Sequence, residues 1–245
     1  MAHLLSWGLG RRHPIDWVVG DKSDFDGTST VIFFGNNAAG PTSLIEALGR
    51  DRALLGFPGA SGTLRGSTVR CFLIRQQPTS FGELDGAQSA RLASIAQRFQ
   101  AAGFPAAIST NMDGSLKTHA VFVTAISAGL YLADGDPRRL AEMPDILQVV
   151  VLATKDGFRP LRALGRFDAP RNLQVLYGWM PTWFAVRYWR RALLTPLGEL
   201  GFAAHANAAR EEMTLLAEDV LGLMATSALP APRLEDPYVR AGMAR

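Results

Sequence analysis

The sequence predicts an α/β segment followed by an all-helical one, with the change near residue 110. Up to that point, short runs of β-formers are divided by Gly and Pro. Beyond it, apolar residues recur at helical spacing over long stretches. The stretch SLKTHAVFVTAIS (115–127) opens the helical part as a nearly all-apolar run headed by one lysine, Lys117.

The elements follow in order. STVIFFG (29–35) reads as a strand, and NNAAGPTSLIEALG (36–49) as a loop and then a helix. Thr42 or Ser43 is placed to cap that helix and Gly49 to end it. ALLGFPG (53–59), TVRCFLI (68–74) and TSFGELDG (79–86) are short strand candidates. From 87 to 102, Leu92, Ile95, Ala96, Phe99 and Ala102 share one helical stripe closed by Gly103, and PAAIST (105–110) supplies a last strand. Long helical patterns then cover 112–132, 137–164, 170–193 and 196–226. The Pro-rich end, LPAPRLEDPYVRAGMAR, predicts a loosely held tail. Three regions result: 1–110, 111–228 and a flexible 229–245.

Composition narrows the class. Of 245 residues, 48% are apolar and 19% charged, the balance of a globular protein with a sizeable core. A formal charge of +3, without a polybasic block or an aromatic RNA-binding motif, gives no support to nucleic-acid binding. The longest apolar stretch, HAVFVTAISAGLYLA, falls short of the roughly 20 residues that span a bilayer. A cytoplasmic protein with no membrane partner is expected. The single cysteine, Cys71, excludes an internal disulfide and is expected to be an inert thiol in a strand.

Several segments stand in one order: FFGNNAAG, RALLGFPGASG, FGELDG, an amphipathic helix, AGFPAAIST and MDGSLKTHAVFVTA. That order resembles the ketopantoate reductases (2-dehydropantoate 2-reductases), over residues 17 to 225 and most specifically over 31 to 132. The resemblance implies a partial Rossmann-like sheet in 1–110 and a helical substrate or dimerisation domain in 111–228. It also implies NADPH-dependent reduction of a small 2-keto acid to a 2-hydroxy acid, and it is compatible with a homodimer.

Residue by residue, the resemblance places the family's lysine on Lys117. Its cofactor- and substrate-binding asparagine falls on Asn37, with Asn36 adjacent, and its late glutamate on Glu212, with Glu211 one residue away. Polar family positions are Val121, Ala125 and Leu200 here, which implies a larger or more apolar keto acid than ketopantoate. Asn207 and His205 lie within two turns of Glu212 and are candidates to replace the lost polar contacts. Lys117 is suited to its role, since an ammonium beside a ketone polarises it and then protonates the alkoxide. Apolar surroundings would ease the transfer by lowering its pKa. A lysine that snorkels to water from a first helical turn is the structural alternative.

The front of the chain departs from the resemblance. A dinucleotide site needs a G-x-G-x-x-G turn between a strand and a helix. The one candidate, GLGRRH (8–13), lacks the third Gly and has no strand pattern before it. The glycine-loop portion is therefore expected to be missing, and the chain alone to bind NADPH weakly or not at all. The alternative function is a non-catalytic truncated family member serving as a folding or dimerisation module.

Overall fold

The computed structural model describes His3–Leu4 and residues 30–65, 68–74 and 77–244. Two compact units result, one comprising the chain up to Ala60 with Leu73–Asp113, the other Ser61–Phe72 with Gly114–Arg245.

The first unit is built on a sheet. Its strands are β1 (His3–Leu4), β2 (Val31–Phe34), β3 (Ala53–Phe57), β6 (Thr79–Gly82) and β7 (Ala106–Ile108), in the order β1-β2-β3-β6-β7. Neighbours are parallel except β3 and β6, which are antiparallel. Helices α1 (Thr42–Leu48) and α2 (Ala90–Ala101) complete the unit. Most of the stripe read from the sequence packs: Leu92 and Ile95 of α2 bury against Ile32, Leu54 and Phe81, with Phe34 and Phe99 partly covered beside them, while Ala102 caps the helix and is exposed. Ser89 caps α2 by accepting from the Leu92 N–H at 3.2 Å. By contrast, α1 begins at Thr42 after Pro41, so neither Thr42 nor Ser43 occupies the cap position and no side chain caps this helix.

Two strands were not expected. β1 pairs with Val31–Ile32, so a short strand does precede GLGRRH, which itself lies outside the described residues. β4 (Ala60–Arg65) forms a two-stranded sheet with β5 (Thr68–Leu73). ASGTLR has the composition of a turn, and only pairing with another strand makes it extended. The thiol of Cys71, in β5, lies outside the described side chains.

Apart from β4 and β5, the second unit is helical: α3 (Met112–Leu132), α4 (Pro137–Ala141), α5 (Pro144–Ala163), α6 (Arg171–Gly178) and α7 (Thr182–Leu193). A π-helical stretch (Leu197–Ala203), α8 (Ala204–Ala208), α9 (Arg210–Ala225) and α10 (Pro232–Arg240) follow. Prolines divide the longer expected helices before Pro144 and at Pro181, because the residue ahead of a proline is pushed out of helical geometry. α3 is the centre of this unit. It is apolar nearly all round and buried from Ala120 to Tyr131, as such a helix must be.

α5 crosses α3 closely at Gly157. A Cβ there would lie 2.6 Å from Val121 Cγ1 and 3.0 Å from Leu234 Cδ2. Val121 is β-branched and cannot swing away. Gly157→Ala is therefore expected to destabilise the protein by about 1–3 kcal/mol, the usual cost of overpacking. Denaturant unfolding of the variant checks this, and a wild-type midpoint would mean the helices separate freely.

The expectation of a flexible tail over 229–245 is corrected. α10 is packed, with Leu234, Tyr238 and Met243 fully buried. The Tyr238 hydroxyl lies 2.6 Å from Thr124 Oγ1, and Asp156 Oδ2 accepts from the Arg233 N–H at 3.0 Å in the first turn of α10. Pro232 starts the helix, where a missing N–H costs nothing. The apolar pair Leu234 and Tyr238, one turn apart, gives it a face to bury.

Candidate functional site

Lys117 lies in the second turn of α3 and is 1% exposed. The surrounding turn is held in place. Ser115 Oγ donates to the Asp168 carboxylate, and the Asp168 N–H donates to Thr118 Oγ1 at 3.0 Å. These residues flank Lys117 on both sides, so the segment after α5 fixes the head of α3. A snorkelling lysine would show exposure, and Lys117 does not.

His119 faces the aromatic packing of the helical unit, its ring 6.3 Å from that of Phe122 and edge-on to it. Burial first, and His205 second, push its pKa down from the usual histidine value to about 3. His205 is also lowered by burial. The unfolded chain takes up a proton on His119 near the ordinary value, whereas the folded protein resists until about pH 3. Stability is thus expected to fall as pH drops through that window. Urea midpoints at neutral and mildly acidic pH, compared between wild type and His119→Gln, should show a smaller acid loss in the variant. An unchanged loss would place its cause elsewhere.

A second group gathers around Tyr131, about 21 Å further along α3 by helical rise. The Tyr131 hydroxyl donates to the Ala206 carbonyl at 2.6 Å, and the Arg210 guanidinium sits 4.1 Å over its ring. Burial pushes the Tyr131 hydroxyl up to about 12, with Arg210 opposing and Glu212 adding to the rise. Glu212 is therefore within electrostatic reach of Tyr131. It lies in the first turn of α9, where a helix N-terminus favours a carboxylate.

The remaining expected positions divide. Asn207 donates from its amide to the Gly135 carbonyl at 3.0 Å and so anchors the turn after α3. Gly135 has φ +77, and a Cβ there would meet Asn207 Oδ1 at 2.4 Å. Asn37 follows the carboxyl end of β2, the end of the strands at which open α/β sheets bind ligands. Its Oδ1 accepts from the Gly40 N–H at 2.7 Å and its Nδ2 donates to the Gly40 carbonyl at 3.1 Å, which leaves one amide N–H. Val121 and Ala125 are wholly buried, and Val121 packs at Gly157. Their expected part in a substrate wall is replaced by helix packing. Leu200 is 37% exposed. Ser115, Thr118, Asp168, Tyr131 and Arg210 were not anticipated. Asp168 stands 50 residues from Thr118, and nothing local in the sequence joins them.

Among the described residues no cluster of three or more His, Cys, Asp or Glu is placed to hold a metal. No described helix is long and apolar enough to cross a membrane.

The described residues combine a Rossmann-like sheet with a helical domain whose first long helix carries a buried lysine. No family model and no curated protein matches the sequence. Solved structures do. A protein assigned as a ketopantoate reductase from Ralstonia solanacearum MolK2 matches with a TM-score of 0.64 at 17% identity, over 89% of this chain and 68% of that one. D-mandelate dehydrogenase, solved with NADH, gives a TM-score of 0.64 at 10% identity, over 87% and 69%. A 2-dehydropantoate 2-reductase from Geobacter metallireducens GS-15 gives 0.63 at 13%, over 87% and 67%. The chain thus has the fold of the ketopantoate reductases, as the order of its sequence segments implied.

Proposed function

We propose that the protein is a nicotinamide-dependent reductase of a 2-keto acid, with NADPH as the reductant and Lys117 as general acid. The burial of Lys117 at the head of α3 is the observation that carries this reading. A buried ammonium is able to stabilise developing negative charge, and its desolvation strengthens that interaction. The donor set at the end of β2 suits a nicotinamide cofactor: Asn37 keeps one amide N–H, on a loop its other groups make rigid. When bound, such a cofactor supplies a hydride to the keto carbon.

The rest is the work of the chain. Lys117 polarises the ketone oxygen and gives it a proton as the alkoxide forms. Ser115, Thr118 and Asp168 keep the turn that carries Lys117 in one pose. Asn37 orients cofactor and substrate, and Glu212 accepts from a substrate hydroxyl. Asn207, anchored on Gly135, is a fixed polar neighbour of that region.

The test is a panel of 2-keto acids with NADPH and NADH, followed by loss of reduced-nicotinamide absorbance. Because the glycine-loop portion is expected to be missing, turnover with at least one acid is expected only at NADPH concentrations high enough to offset weak binding, with NADPH preferred over NADH. Cofactor binding without turnover on any member of the panel would overturn the reductase assignment in favour of the folding-module alternative.

A further inference from the structure

The segment Ala169–Gly198 contains four arginines and no lysine, aspartate or glutamate. It forms α6, α7 and the turn between them, and it is unusually apolar on its outer side. Trp179 is 84% exposed and Trp183 67%, with Val175, Phe184 and Tyr188 also exposed. Isolated apolar residues on a surface need no explanation, but a contiguous aromatic set does. α7 has an inward face of its own in Ala185, Trp189 and Leu193, so the outward aromatics are not needed for the core.

The outer face is concave. Phe184, Arg187, Tyr188 and Arg191 recur at helical spacing and line a cavity of about 420 Å³. Among the described residues, no carboxylate pairs with Arg187 or Arg191. A second cavity of about 550 Å³ is lined by Arg162, Phe167, Gln174 and Trp179. Its guanidinium is held 4.0 Å over the Phe167 ring. The turn that presents the two tryptophans is itself fixed, because Lys155 Nζ donates to the Met180 carbonyl at 2.8 Å.

We propose that this face docks an acidic polypeptide segment of another protein that carries aromatic or aliphatic anchor side chains. Charge complementarity selects an acidic partner, since thirty residues offer cations and no anion. Two cavities separated along the same segment take side chains, which a bilayer surface does not supply. Trp, Tyr and Arg are also the residues that dominate protein–protein hot spots, and arginine engages carboxylates through a planar fork. The surface stands independently of the reductase reading.

The experiment uses the full chain with three probes: a random glutamate–tyrosine copolymer, polyglutamate of equal length, and vesicles of phosphatidylglycerol with phosphatidylcholine. The copolymer is expected to bind at least ~10-fold more tightly than polyglutamate, because the anchors as well as the charge are read. Arg187→Glu with Arg191→Glu, and separately Trp179→Ala with Trp183→Ala, should each weaken that binding by ~10-fold or more. All four residues are exposed, so melting temperatures should be unchanged. Equal affinity for both polymers, or binding of neither, overturns the proposal. Binding to vesicles alone would assign the face to lipid instead. Self-association that the arginine variants abolish, without copolymer binding, would assign it to a second copy of this chain.

Discussion

Lys117→Ala is expected to lower kcat for 2-keto acid reduction by at least ~10²-fold, the usual scale for a positioned proton donor. Cofactor affinity should change little, because the role proposed for Lys117 is toward the substrate oxygen and not the cofactor. The loss should appear in kcat and in kcat/KM alike, the signature of an interaction made in the transition state. Because Lys117 is buried, an effect on folding has to be separated from one on chemistry. Lys117→Met keeps most of the side-chain volume and removes the charge. If this variant melts with wild type and has lost turnover, the ammonium does chemistry. Wild-type turnover in a well-folded Lys117→Met would remove Lys117 from the mechanism.

The second large effect concerns the end of the chain. Tyr238→Ala is expected to cost about 3–5 kcal/mol, as large-to-small changes at fully buried aromatics do. It removes the contact of α10 with α3 and leaves Thr124 without its 2.6 Å partner. For a chain of this size, the melting temperature should fall by on the order of 10 °C. Tyr238→Phe keeps the ring, and Thr124 still donates to the Ala120 carbonyl at 2.6 Å. That variant should cost only about 0.5–1.5 kcal/mol. Equal melting of Tyr238→Ala and wild type would mean that α10 contributes nothing to the helical unit.

Much of the fold was legible because its signals are local. The stripe of α2 and the apolar run of α3 are periodicities within one element, and they packed as read. Proline and glycine punctuation located β2, β3, β6 and β7 to within a few residues, but not β1. Lys117 stood out for a local reason too, as a lone charge at the head of an apolar helix.

What only tertiary structure decided is non-local. The sequence of α10 reads as a tail because its prolines and mixed charge outweigh two apolar residues. The groove of α3 and α5 that accepts Leu234 and Tyr238 is made by residues some 80 to 110 positions earlier. β4 is extended only because β5 pairs with it. Val121, a substrate-wall position by resemblance, lies between helices because Gly157 approaches it closely. Asp168 reaches Ser115 and Thr118 across about fifty residues, and Tyr131 meets Ala206 across 75. The sequence by itself determined the two-part architecture and the lysine to examine. The structure decided which polar groups surround that lysine, because hydrogen bonds between distant segments leave no periodic trace in either one.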